Sequence, residues 1–423
     1  MITLNDDFKI SGTTYESFAE AIKNMTDVTH VKKVRNFNIE MLSAINGDSK
    51  DNIQFFFGLG QDSIEFFEKN YMLNKKYGVD VKNFGNDLVN ELINTTQLMF
   101  YLPNEREKFI VSNWSMPSLT ARASITGTNS VGMHGIIRNM HLAKGLLVDK
   151  AEEYSNIVYR EVDGVKKIFA VMSHYYQHIP QTLLCEIIEK IISQNKMGRM
   201  EVREWNMSHD FTNVYLEFPD LTVDFPNSKM NSKELVPGIL LATSDIGVSS
   251  IIVKTTYRKG RSILIDKEIN FVHKTKNDAA TILERIDDEI FAEIRKLPET
   301  LISLIGKHIL DYTKMDLTTE KDRFINREKI EAIINKLYTS DFKKVLKKSN
   351  YDALKEYIEN EIHSDLEYTA FDIADIFMSI PERISGVNRY VLADLQTLCG
   401  KIPYRVMPVI QSLNKPAEKI TLI

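Results

Sequence analysis

Cysteine is almost absent: Cys185 and Cys399 are the only two in 423 residues, which excludes a disulfide framework and every cysteine-rich zinc module. Both stand in apolar helical patterns, as in "QTLLCEIIEK", so two buried, unreactive thiols are expected. No apolar run approaches the roughly 18 to 20 residues that a membrane span requires. The opening "MITLNDDFKISGTTYESF" carries no basic segment followed by an apolar one. The expectation is a protein that does not engage a membrane and works in the cytoplasm. An excess of positive charge is also missing. The net charge of −5 argues against coating nucleic acid over the whole surface, while a local basic patch would survive that average.

Catalytic signatures are equally scarce. The Gly-rich "GTNSVGMHG" lacks the Lys-Ser/Thr of a phosphate loop, and there is no Gly-x-Ser-x-Gly elbow, His-Glu-x-x-His or calcium loop. No cofactor is expected. His174 and His178 in "SHYYQHIP" have a ligand spacing only if they share a helix, and Pro180 starts the helix after them, so they read as polar residues at a strand-to-helix corner. Asp220 and Asp224 would share a face if they lay on one strand, as a metal-dependent enzyme requires, but the nearby prolines favour a solvated turn.

What is present is an ordinary globular composition, 43% hydrophobic and 26% charged, long enough for two or three domains. Residues 1–150 read as mainly helical. "DSIEFFEKNYMLNKKYG" runs from an Asp62 cap to Gly78, "NDLVNELINTTQLMFYLP" ends at Pro103, and a Gly-rich loop follows at 127–145. Over 151–275 the period changes to two. "NIVYREVDGVKKIFAVMS" alternates on both sides of Asp163-Gly164, a hairpin turn, and the helix from Pro180 carries paired apolar residues that suit the face of a sheet. Further strands follow to about residue 273, and 276–423 reads as a helical C-terminal domain. The fold class is therefore α+β: a central antiparallel sheet with a packed helix, between a helical N-terminal region and an all-α C-terminal domain.

The strands of "GILLATSDIGVSSIIVKTTYRKGR" end in a basic cluster. If 251–258 pairs with 261–268, Lys254 and Arg258 stand in line on one face, and Arg258 faces Arg261, a like-charge contact that a phosphate would relieve. Lys254, Arg258, Lys259 and Arg261 are thus candidate phosphate ligands, with Tyr257 either in the core or stacked on a base. Arg122, Arg138, His141 and Lys144 would extend the patch if folding brings them near. The bland alternative is a charged tip that keeps an edge hairpin soluble.

The order "KIFAVMSHYYQHIPQTLLCEII", then "LVPGILLATSDIGVSSIIVKTTYRKG", resembles a family of phage- and plasmid-encoded proteins of unknown function over residues 165–260. The matching positions are Ser173, Tyr176, Pro237, Gly238, Ile239, Ser244, Asp245, Gly247 and Arg258. Members continue with a Cys-x-Asn-Gly-like segment where this chain has "RKGRSILID". The resemblance implies a mobile-element origin and no particular reaction. Two readings follow: a non-catalytic protein that binds single-stranded nucleic acid in replication or recombination of the element, or an interaction module that antagonises a host defence complex or serves the virion. Self-association is compatible with both.

Overall fold

The computed structural model describes residues 2–46, 54–56, 95–125, 135–176, 178–194, 198–224, 234–247, 251–259, 262–271, 327–340 and 342–345, with scattered residues between 351 and 402. Within them the fold is α+β and holds two seven-stranded sheets.

The chain opens with a short strand, β1 (Lys9–Gly12), and helix α1 (Tyr15–Val28). The Thr14 hydroxyl caps α1 by accepting from the Ser17 amide at 3.2 Å, and Phe18, Ala21, Ile22 and Met25 fall on one buried face. Next come β2 (Thr29–Arg35), β3 (Glu40–Asn46), β4 (Gln54–Phe56), β5 (Leu98–Leu102), β6 (Glu107–Val111), β7 (Tyr154–Val162) and β8 (Val165–Ser173). They form the first sheet in the order β2-β7-β8-β6-β5-β3-β4, antiparallel except for the parallel β6–β8 pair. Asp163 (φ 52) and Gly164 (φ 76) make the tight turn between β7 and β8, the left-handed pair that Asp-Gly supplies at low cost. One face of this sheet is covered by α2 (Met116–Arg122) and by α3 (Gly135–Ala143), which runs on into a wider π turn at Lys144–Val148. Leu119, Leu142 and Leu146 pack there on Phe100, Phe109, Ile157 and Ile168. Gly145 allows the approach: a Cβ there would lie 2.2 Å from the Ala123 carbonyl oxygen.

The second sheet takes β1 back and adds β9 (Glu201–Ser208), β10 (Thr212–Glu217), β11 (Val223–Asp224), β12 (Glu234–Thr243), β13 (Ile251–Lys259) and β14 (Ser262–Phe271). Its order is β1-β9-β10-β12-β13-β14, antiparallel throughout, with β11 also paired to β12. Helix α4 (Thr182–Gln194) lies with α1 on one face, and Leu183, Leu184, Ile187, Ile188 and Ile191 pack on Trp205, Val214, Leu216, Ile239 and Val253. Each such side chain contributes roughly 1.5–3 kcal/mol by leaving water. In the C-terminal part α5 (Arg327–Ser340) buries Ile333 and Leu337.

Several expectations need correction. The N-terminal region expected to be mainly helical is mixed among its described residues, where strands β1 to β6 stand beside α1, α2 and α3. Leu98–Leu102, read as the end of a helix before Pro103, is β5: an unbroken apolar run satisfies a strand buried on both faces as well as it does a helix. The helix expected at 62–78 lies outside the described residues. Part of the Gly-rich stretch is α3, not loop. Both sheets cross the division expected at residue 150, since β2 pairs with β7 and β1 with β9. Most of the helical C-terminal domain expected over 276–423 lies outside the described residues.

Candidate functional site

Of the cations singled out from the sequence, those described are mostly buried or bonded within the fold. Along β13 and β14, Lys259 pairs with Ser262 and Arg258 with Ile263, so the Arg258–Arg261 opposition does not form. Further from the tip, a bulge between Thr255 and Thr256 shifts the pairing of Ile251–Thr255 by one more residue. Tyr257 is buried at 1% exposure and Lys254 at 8%, its strand partner on β14 being Glu268. Arg258 donates from Nε and Nη2 to the two Glu217 oxygens at 2.5 and 3.0 Å, which raises its pKa further. The pair spans β12 at Gly238, which lies between Glu217 and Thr256 in the register. The side chain of Lys259 and the whole of Arg261 lie outside the described residues.

The same correction applies to two cations of the first 150 residues. Arg122 is buried, donating to the Ser155 hydroxyl at 3.0 Å and the Tyr154 carbonyl at 3.1 Å, and paired with Glu153 at 2.7 Å. Arg138 is half-buried and donates to the Thr96 carbonyl at 2.7 Å, and burial lowers its pKa. Long cationic side chains placed beside unpaired carbonyls turn inward, and sequence spacing does not report where those carbonyls are. Lys144 and His141 are exposed.

The residues that carried the family resemblance fall in two places. Pro237, Gly238 and Arg258 sit on the second sheet, in or beside the Glu217 pair. Ser173, Tyr176, Ser244, Asp245 and Gly247 gather where the end of β8 meets the turn after β12. Tyr176 donates to the Asp245 carbonyl at 3.1 Å. Gly247 holds a left-handed backbone (φ +74) that favours glycine, and a Cβ there would crowd the Met172 methyl at 2.1 Å and the Tyr176 ring at 3.1 Å.

That meeting point holds a buried polar network which sequence reasoning missed. Arg160 on β7 donates from Nη2 to both Asp245 oxygens, at 2.9 and 3.0 Å, and to the His209 carbonyl at 3.0 Å. Its Nη1 lies 2.6 Å from His209 Nδ1. A guanidinium can only donate, so Nδ1 accepts and the ring proton sits on Nε2, which donates to the Asn5 carbonyl at 2.9 Å. Burial, then the charges of Arg160 and Lys167, push the His209 pKa down to about 2. Lys167 donates to the Leu4 carbonyl at 2.7 Å and pairs with Asp6 at 2.9 Å. Phe169 closes the group, 4.1 Å from the His209 ring and 4.5 Å from the Arg160 guanidinium. The network ties β7 and β8 of one sheet to two turns of the other and to the N-terminal residues 4–6. Its chemistry is that of a clamp: the charges are paired and the imidazole is held neutral. The signal for it was a cation in step with the apolar positions of a strand: Arg160 two residues after Val158 in "IVYREV" and Lys167 two residues before Phe169 in "VKKIFAV".

The acidic pair separates. Asp220 lies in a short 3-10 turn (Pro219–Leu221) and accepts from the Arg199 amide at 2.7 Å, whereas Asp224 belongs to β11, so the two do not share a strand. His174 and His178 occupy the corner between β8 and α4, and burial lowers the His178 pKa. Among the described residues no group of three or more His, Cys, Asp and Glu could hold a metal. Cys399 is buried. Cys185 is half-buried, with burial and then Glu189 raising its pKa to about 11.

Among the described residues β2 and β4 are the two edge strands of the first sheet, and the β2 side forms an open end. Strand β2 has a single strand neighbour, β7, among the described residues. In the register Arg35 lies opposite Tyr154, Lys33 opposite Asn156 and Val31 opposite Val158, so these six share a face. The backbone then turns, and the amides of Asn36 and Phe37 donate to the carbonyls of Glu153 and Ala151 at 2.9 and 3.0 Å. Asn156 donates to the Tyr176 carbonyl at 3.1 Å, which brings the β8 corner to the same end. Of the six exposed large apolar or aromatic side chains described, four collect here: Val31 (41%), Phe37 (70%), Tyr154 (44%) and Tyr175 (52%). The Lys33 ammonium stands 5.3 Å from the Tyr154 ring centre. Arg35 pairs with Glu152 at the surface.

No family model matches the chain, nor does any curated protein or solved structure. No helix among the described residues is long and apolar enough to cross a membrane.

Proposed function

We propose that the chain is a non-catalytic nucleic-acid-binding protein, encoded by a phage or plasmid and acting in the host cytoplasm in replication or recombination of the element. The observation that supports this reading is the clustering of exposed rings with Lys33 and Arg35 at the open end of β2, β7 and β8. Isolated exposed apolar side chains are ordinary, but four of six at one sheet end mark a contact surface, and the cations beside them favour a polyanion. The hairpin cations Lys254 and Arg258 do not contribute, being buried or paired.

The test is the affinity for a labelled oligonucleotide as salt rises. With two or three phosphates neutralised, the constant should fall about 10-fold or more from 50 to 200 mM salt. Affinity that ignores salt, or no affinity at all, contradicts the reading. A second reading is a protein-interaction module directed at a host defence complex, or a virion component. The unpaired edge of β2 among the described residues, with Val31 outward, favours it as a place where an extended peptide adds a strand. Pull-down of a stoichiometric protein free of nucleic acid would support that alternative.

A further inference from the structure

We infer that the open end formed by β2, β7 and the β8 corner takes single-stranded polynucleotide and rejects duplex, with Phe37, Tyr154 and Tyr175 as stacking surfaces and Lys33 and Arg35 as phosphate ligands. This rests on the nucleic-acid reading and specifies which form is bound and where. The rings are the deciding feature. A duplex offers phosphates to any cation but keeps the faces of its bases stacked inside, so exposed aromatic rings gain nothing from it. Unpaired bases can lie on Phe37, which is 70% exposed, and on Tyr154 and Tyr175.

The spacing also fits an extended strand. Arg35 lies opposite Tyr154 in the β2–β7 register, so a cation and a ring stand side by side on one face. Lys33 follows two residues along the same face, about 7 Å further on. Two features keep these cations available. The Lys33 ammonium is held over a ring with no carboxylate paired to it among the described residues. The Arg35–Glu152 pair is largely exposed, at 40% and 77%, so a phosphate can replace the carboxylate.

The experiment uses the full chain with three fluorescent probes: oligothymidylate, oligouridylate and a DNA duplex, each of about 20 nucleotides or base pairs. The expected result is binding of one or both single strands at least about 10-fold tighter than the duplex. Phe37→Ala should weaken single-strand binding about 5- to 100-fold, and Phe37→Trp should retain it. Neither change touches the core, so thermal unfolding should match the wild type and confirm that the variants fold. Equal binding of single strand and duplex, with Phe37→Ala silent, overturns this inference and leaves the broader nucleic-acid reading standing. No binding to any probe overturns both.

Discussion

Asp245 accepts both of its Arg160 hydrogen bonds from one guanidinium nitrogen, across 85 residues of sequence and from one sheet to the other. Both side chains are nearly inaccessible, at 1% and 3%. Asp245→Asn should therefore cost about 3–5 kcal/mol, because it strands the buried Arg160 charge. Urea titration followed by tryptophan fluorescence checks it. By contrast Glu152→Gln, which breaks the exposed Arg35 pair, should cost less than about 1 kcal/mol. Arg160→Met combined with Asp245→Leu should cost less than the two single changes together.

Acid should weaken the clamp. His209 is held neutral, its pKa lowered to about 2 by burial and then by Arg160 and Lys167, and burial lowers His178 as well. In the unfolded chain a histidine takes up its proton near pH 6.5, so between that value and the folded pKa the unfolded state binds more protons. Stability is therefore complete above about pH 7 and falls as the pH drops through 6.5, by about 2 kcal/mol at pH 5 from His209 alone. Urea midpoints at several pH values test this, and His209→Gln should flatten the slope.

Gly238 leaves the gap across which Glu217 reaches Arg258. A Cβ there would lie 2.4 Å from the Leu216 carbonyl and 2.9 Å from the Thr256 hydroxyl. Gly238→Val should cost about 1–3 kcal/mol, read from the thermal midpoint.

Helix α4 supplies an internal control. Ile188 is fully buried against the second sheet, while Ile192, one turn later, is 47% exposed. Ile188→Ala should cost about 2–5 kcal/mol, and Ile192→Ala should stay within about 0.5 kcal/mol by the same measurement.

The sequence made local pairings legible and long-range ones illegible. The Asp163-Gly164 hairpin, the α4 stripe and the strands from 201 to 271 follow from turn chemistry and periodicity, both of which act within a few residues. Strand β5 was read as helix because Leu98, Met99, Phe100 and Leu102 are all buried, which erases the alternation that marks a strand. The tip of β13 differs from the expectation because the strand runs on to Lys259, which pairs with Ser262, so Arg258 meets Ile263 and not Arg261. Arg160, Lys167 and His209 come together only through the packing of two sheets, as do Phe37 and Tyr154 through the β2–β7 pair, and no spacing along the chain reports either.

The most direct test of the account is backbone hydrogen exchange of the full chain with and without saturating oligothymidylate. Slowed exchange over residues 29–37 and 151–156 and around Tyr175 is the predicted result. Protection confined to the β13–β14 hairpin, or none at saturation, would contradict the placement of the interface at the open end of the first sheet.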